Sequence, residues 1–254
     1  MTIDEPKISH VPALRALFAD SFGESEEFLD LFFDTAFTPS RSRIATEDGR
    51  LLASLFWFDC ELRGSKIAYI YAISTAKEYR GKGICRALMK STHSHLKSLG
   101  YTAAILVPAE PSLFDFYARL GYKAASGLSE TVAAASDTGA FLREVSREEY
   151  AALRQGLLPD GAVVAGDELI KMLSATAKLY MGEGFILAAR VMGNRLFGIE
   201  LLGDTSRAPD ILAALGVQAG IFRTAGNAFP FSAYLPLSDI APAPPSYFGI
   251  ALDK

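Results

Sequence analysis

Residues 66–107 contain the feature that most restricts this fold: the apolar period changes across two closely spaced glycines. Lys66–Thr75 (KIAYIYAIST) is rich in β-branched and aromatic residues and reads as a strand. Beyond Arg80-Gly81-Lys82-Gly83, apolar Ile84, Leu88, Leu96 and Leu99 recur at helical spacing, and Gly100 supplies the stop. Thr102–Val107 (TAAILV) then reads as a short buried strand. Strand, helix and strand joined by short links imply that the second strand has a parallel neighbour.

Upstream, Ser9 is placed to cap a helix over about 10–20, and a second helix is expected over 24–36, with Phe28, Leu31, Phe32 and Thr35 on one side and acids in its first turns. Arg43–Glu47, the turn Asp48-Gly49, Leu51–Leu62, the turn Arg63-Gly64 and the strand at 66–75 form an antiparallel meander. Downstream, Pro111–Leu120 reads as a helix ended by Gly121. The Ala-, Ser- and Gly-rich stretch 124–140 marks the expected end of a first domain, 1–140, with part of it open to a last hairpin. The remainder, 141–254, shows helical patterns at 147–154, 167–180 and 207–215. Strand patterns lie at 185–192, 195–202, 219–224, 231–235 and 247–252, and the prolines of 241–245 read as an extended connection.

The glycines of the 80–83 loop let the backbone turn tightly and bring N–H groups near a ligand. The helix beginning there offers unpaired donors and a partial positive charge, so a diphosphate fits, with Arg80 and Lys82 beside it. A plain helix-capping turn is the alternative for a G-x-G taken alone.

With the meander before it and Phe116-Tyr117-Ala118-Arg119-Leu120-Gly121-Tyr122 after it, the segment resembles the GCN5-related N-acetyltransferases (GNAT). Their R/Q-x-x-G-x-G/A signature reads here Arg80-Gly81-Lys82-Gly83-Ile84-Cys85, with Cys85 where a smaller residue is usual. The resemblance covers about residues 1–140. It implies an α/β (α+β) fold, a GNAT-like mixed, mostly antiparallel central sheet flanked by helices, followed by a smaller α+β domain that echoes the first and lacks the loop. It also implies acetyl-coenzyme A as cosubstrate, held by the backbone of Ile73, Ser74 and Thr75 and by Arg80, Gly81, Lys82, Gly83, Ile84 and Cys85. Tyr117 matches the tyrosine that returns a proton to the departing thiolate. The implied reaction is transfer of acetyl to a primary amine, on a small molecule or a peptide; a coenzyme A-binding protein without turnover is the rival.

No general base is legible. Asp59, Glu61, Glu78 and the acids at 24–34 are candidates, each with a solvated surface position as its alternative. Tyr69 and Tyr71 share a strand face with Ile73, as acceptor-pocket lining or as core. Ser112 could hold the pantetheine or cap the helix after it. His93 and His95, two apart on a helix, cannot chelate one metal together, His10 is lone, and no metal site is expected. Two cysteines make no disulfide scaffold. The net charge of −4 and the absence of a dense Lys/Arg run argue against nucleic acid. No apolar run reaches the roughly 18–20 residues that span a bilayer, and MTIDEPKISH lacks the features of a secretion signal. A cytoplasmic setting is expected, and a homodimer contact is one role open to the second domain.

Overall fold

The computed structural model describes residues 1–250 and 252. In chain order its elements are β1 (Thr2–Asp4), α1 (Val11–Phe22), α2 (Glu26–Thr35), β2 (Ser42–Glu47), β3 (Arg50–Leu62), β4 (Ser65–Thr75), α3 (Ile84–Ser98), β5 (Ala103–Leu106), α4 (Leu113–Ala118), β6 (Lys123–Ala124), β7 (Gly127–Ala134) and β8 (Leu142–Glu144). There follow α5 (Arg147–Leu157), β9 (Val164–Ala165), α6 (Asp167–Thr176), β10 (Lys178–Gly182), β11 (Phe185–Met192), β12 (Arg195–Gly203), α7 (Ala208–Ala214), β13 (Ala219–Ala225), β14 (Phe229–Pro230) and β15 (Ala233–Pro236). The described residues form two compact units, 1–123 with 233–243 and 124–232 with 244–250 and 252.

The first unit carries a sheet in the order β1-β2-β3-β4-β5-β15, antiparallel throughout except for the parallel pair β4 and β5. Both hairpin turns are made by residue pairs with positive φ, Asp48-Gly49 and Arg63-Gly64, the geometry whose twist matches the flanking strands. On one face α3 buries Leu88, Met89 and Leu96 against Leu55, Trp57, Ala68, Ile70 and Ala104. Each such aliphatic chain contributes about 1.5–3 kcal/mol by leaving water. The rings of Phe18, Phe32, Phe56, Phe58, Tyr69 and Tyr71 form a separate aromatic cluster, joining α1 and α2 to β3 and β4.

The second unit repeats this arrangement. Its sheet runs β8-β10-β11-β12-β13-β7-β14, with β12 and β13 the parallel pair, two helices between β8 and β10, and α7 between β12 and β13. In each unit the strand beside the second parallel strand comes from an unexpected part of the chain. β15, from the far end of the chain, pairs with β5, and β7, which follows directly on the first unit, pairs with β13. A buried ion pair, Arg154 to Glu200 through two contacts of 2.8 and 2.9 Å, is completed by the Tyr150 and Tyr247 hydroxyls, each 2.9 Å from the same carboxylate.

Several expectations are corrected. The small-residue stretch 124–140 contains a full strand of the second unit's sheet, so the compact units divide at 123/124, and 233–243 returns to the first; small side chains do not bar a strand that is paired on both sides. Ser9 lies within a short 3-10 turn (Ile8–His10), and α1 starts beyond it, with Pro12 in its first turn and His10 at the cap position. Ser25 caps α2, its hydroxyl accepting from the Phe28 amide at 3.3 Å. Of the strand expected at 247–252, residues 247–250 form none, Tyr247 making one isolated parallel bridge with Ala162, and residue 251 lies outside the described residues.

Candidate functional site

Two features of β4 shape the site. Opposite β3, the register slips between Ser54/Ser74 and Phe56/Tyr71, the single residue Leu55 on β3 facing two, Ala72 and Ile73, on β4. The extra residue is a bulge at Ala72, whose φ of 49° lies in the left-handed region. Opposite β5, pairing runs only from Ile67/Ala103 to Tyr69/Ile105. From Ile70 to Thr75 the strand has no partner on β5, so its backbone faces an opening between the two parallel strands. Ile73, Ser74 and Thr75 all lie in this stretch.

The bulge corrects the reading of one shared face for Tyr69, Tyr71 and Ile73. An inserted residue inverts the alternation beyond it. Tyr69 and Tyr71 stack among the Phe18, Phe32 and Phe58 rings, whereas Ile73 packs against the α3 side of the core. The Ser54 and Ser74 hydroxyls, both buried, meet at 2.9 Å just beyond the bulge and mark the restored register.

The loop after β4 delivers the glycines where the backbone requires them. Gly81 and Gly83 have φ of 76° and 78°, a conformation that costs any other L-residue about 1–2 kcal/mol. Gly83 is the N-cap of α3, and the first intrahelical bond runs from Ala87 N–H to Gly83 C=O at 3.0 Å. The amides of Ile84, Cys85 and Arg86 therefore have no helical acceptor, and no side chain caps them. Together with Thr75, Arg80 and Phe116, this helix end lines a cavity of about 300 Å³. Arg80 is fixed by its Nε–H donating to Thr75 C=O at 2.9 Å, and the Lys82 ammonium lies 5.2 Å from the centre of the Tyr79 ring.

Tyr117, on α4, is buried and packs against Phe116 and Tyr122. Its hydroxyl makes no hydrogen bond among the described residues. Burial, and secondarily the nearby Cys85, hold its pKa above the usual tyrosine value, so the phenol keeps its proton. Burial likewise pushes the Cys85 thiol up to about 11, the opposite of an activated nucleophile.

The other candidates are placed elsewhere or otherwise engaged. Asp59 accepts from the Tyr101 hydroxyl and lies 3.3 Å from Arg41, and Tyr101 in turn accepts from Trp57 Nε1 at 3.1 Å. That network is structural in form. Glu61 is exposed opposite Lys66 on β4, and Glu78 is exposed. Of the 24–34 acids, Glu26 and Asp30 both bind Arg15, at 2.6 and 2.7 Å. Ser112 occupies the N-cap position of α4, but its hydroxyl caps no amide and donates to Glu110 at 3.4 Å. His93 pairs with the Tyr122 hydroxyl at 2.9 Å, and burial lowers its pKa to about 4. Among the described residues no group of three or more His, Cys, Asp or Glu is placed to hold a metal, and no helix is long and apolar enough to cross a membrane.

The bulge at Ala72 and the role of β15, which supplies Ala233 to the core and pairs with β5 from Ala233/Leu106 to Pro236/Ala103, are not foreshadowed in the sequence. No local signal marks either one.

A glycine-lined helix end beside a parallel pair that parts beyond Tyr69 is the framework of a coenzyme A-dependent acyltransferase, and residues 2–125 match the acetyltransferase (GNAT) domain family. The match covers the first unit's contiguous segment, just under half of the chain. A search of curated protein sequences returns no match. Among solved structures, a GCN5-related N-acetyltransferase from Kribbella flavida is similar over 92% of this chain and 70% of its own, at 16% identity and a TM-score of 0.72. One from Anabaena variabilis ATCC 29413 is similar over 93% and 73%, at 13% identity and a TM-score of 0.75. Eis1 from Mycobacterium abscessus is similar over 94% and 74%, at 14% identity and a TM-score of 0.71. At these identities the likeness is one of fold, and it extends across both units. The open amides, the positive-φ glycines and the two cations fit acetyl-coenzyme A, the family's cosubstrate.

Proposed function

We propose that this protein is an N-acetyltransferase that moves acetyl from acetyl-coenzyme A to a primary amine by direct attack. The observation that carries the reading is the uncapped start of α3, three amides without acceptors behind two positive-φ glycines. A diphosphate there satisfies donors that the fold leaves open. The free edge of β4 from Ile70 to Thr75 offers Ile73, Ser74 and Thr75 as backbone partners for the amide-bearing arm. One of its N–H groups is suited to steady the oxyanion of the tetrahedral intermediate. As the C–S bond breaks, Tyr117 gives its proton to the thiolate, leaving free coenzyme A and the N-acetyl product. The amine attacks in its neutral form, and its proton passes to solvent or to a base of the acceptor itself.

The second unit supports assigning the chemistry to the first. At the corresponding turn, between β12 and α7, Asp204 accepts from the Ser206 amide at 3.1 Å and the Ser206 hydroxyl at 2.6 Å. A carboxylate stands there where the first unit presents open amides, and it repels a diphosphate. We read the second unit as a copy without cofactor function. The rival reading, a coenzyme A-binding protein without turnover, is favoured by the engagement of Asp59 with Arg41 and Tyr101. A panel of amines (peptide N-termini, lysine peptides, polyamines, aminoglycosides), assayed for thiol release from acetyl-coenzyme A, decides between them. Binding without release above the uncatalysed rate for every amine would sink the enzyme reading.

A further inference from the structure

Beside the cofactor loop the first unit carries a second, larger hollow that the acetyl-transfer reading does not use. It measures about 570 Å³, against about 300 Å³ at the helix end, and shares Tyr79 and Arg80 with it. Its wall is α1, where Ala13 and Ala16 leave room, and its rim carries Arg50 at the start of β3 and Lys77 just after β4. Neither Arg50 nor Lys77 makes an ion pair among the described residues. Ser21, also on α1, lines the same hollow, and its hydroxyl oxygen is buried without a hydrogen-bond partner. A buried hydroxyl left unpaired costs stability until something pairs with it.

Three cations and one unsatisfied hydroxyl around a single hollow suit a phosphate monoester. It offers several acceptor oxygens at high charge, to a planar guanidinium and to an ammonium. Asp20 and Glu78 also line the hollow, unpaired with these cations; they leave an excess of one positive charge and disfavour a ligand with several charged groups at this place. We infer that the hollow between α1, Arg50 and Lys77 is a phosphate-monoester site adjoining the cofactor loop, coupled to it through the shared Arg80. Two molecules present such a group: coenzyme A itself, through its 3′-phosphate, and a separate phosphorylated ligand. The first source rests on the cofactor reading and the second does not.

Calorimetry on the full chain and on an Arg50→Gln/Lys77→Gln double variant separates them, with coenzyme A, 3′-dephospho-coenzyme A and inorganic phosphate as probes. Both residues are exposed, so folding is expected to survive, and Ala16→Leu fills the hollow without removing charge. If the cofactor supplies the phosphate, wild type binds coenzyme A about tenfold tighter than the dephospho form, and both variants erase the difference. If the ligand is separate, inorganic phosphate binds the coenzyme A-saturated wild type and fails to bind either variant. Wild type that shows neither effect, or variants that keep whichever effect wild type shows, would overturn the site. Absence of any coenzyme A binding would instead refute the cofactor reading. The hollow is then judged on phosphate binding to the free protein, wild type against the variants.

Discussion

Replacing Tyr117 by Phe removes one oxygen from a site where its structural and chemical roles separate cleanly. The hydroxyl has no hydrogen-bond partner among the described residues and its ring is packed on Phe116 and Tyr122. Phenylalanine keeps those ring contacts, so removing the oxygen leaves stability unchanged or raises it, by up to about 1 kcal/mol. The chemical step loses its proton donor, worth a factor of about 10²–10⁴, or roughly 3–5 kcal/mol of barrier. Because burial raises the Tyr117 pKa, the donor stays protonated through pH 10, and wild type shows no loss of rate from its ionisation below that value. The assay is steady-state thiol release from pH 7 to 10, with melting temperature and KM for acetyl-coenzyme A measured on the same samples. The expected result is kcat down at least a hundredfold, with KM and melting temperature nearly unchanged. A variant with wild-type kcat would refute the assignment. A variant that lost stability in proportion to rate would show that the oxygen serves packing.

Three further outcomes follow from other residues. Gly83→Ala puts a Cβ on a backbone at φ 78° with no neighbouring atom within 4 Å, so the cost is conformational, about 1–2 kcal/mol; calorimetry is expected to show weaker acetyl-coenzyme A binding as the loop relaxes, and unchanged affinity would show that this conformation does not shape the cradle. His93, with a native pKa of about 4 against about 6.5 unfolded, takes up a proton more readily in the unfolded chain. Its contribution is therefore intact above pH 6.5 and is lost as pH falls toward 4, up to about 3 kcal/mol. Urea midpoints of wild type and His93→Gln compared at pH 7 and 5 test this, with the variant expected to show the shallower pH dependence. Glu200→Gln leaves the buried Arg154 cation without its counter-charge and is expected to destabilise the second unit by about 3–5 kcal/mol, seen as faster amide exchange in β11 and β12.

The elements set by local chemistry were legible. Asp48-Gly49 and Arg63-Gly64 are turns because their neighbours alternate and each pair ends on a glycine, which adopts positive φ without cost. The 80–83 loop is a strand-to-helix switch because the apolar period changes there. What escaped was set by distant partners. Ala72 is an ordinary strand residue by composition, and only its pairing with β3 makes it a bulge; that one residue moves Ile73 to the face opposite Tyr71. β7 reads as a weak, alanine-rich segment because its stability comes from β13 and β14. Ser112 and Ser9 show the limit of capping rules: each is the right residue type near a helix start, and in neither case does its hydroxyl meet an amide. At the site, the cofactor loop is readable because phosphate chemistry demands glycine and cations in sequence. The acceptor's chemistry is carried by side chains that converge from several elements.

The exchange of β7 and β15 has a consequence for how such a chain is made. As the polypeptide leaves the ribosome, β5 has to wait for more than a hundred further residues before the strand that covers its edge appears. Until then the nascent acetyltransferase half keeps an unsatisfied sheet margin beside the cleft that will hold its cosubstrate, so a fragment cut at the apparent domain border is an unfinished molecule whose natural remedy is a short peptide carrying residues 233–243.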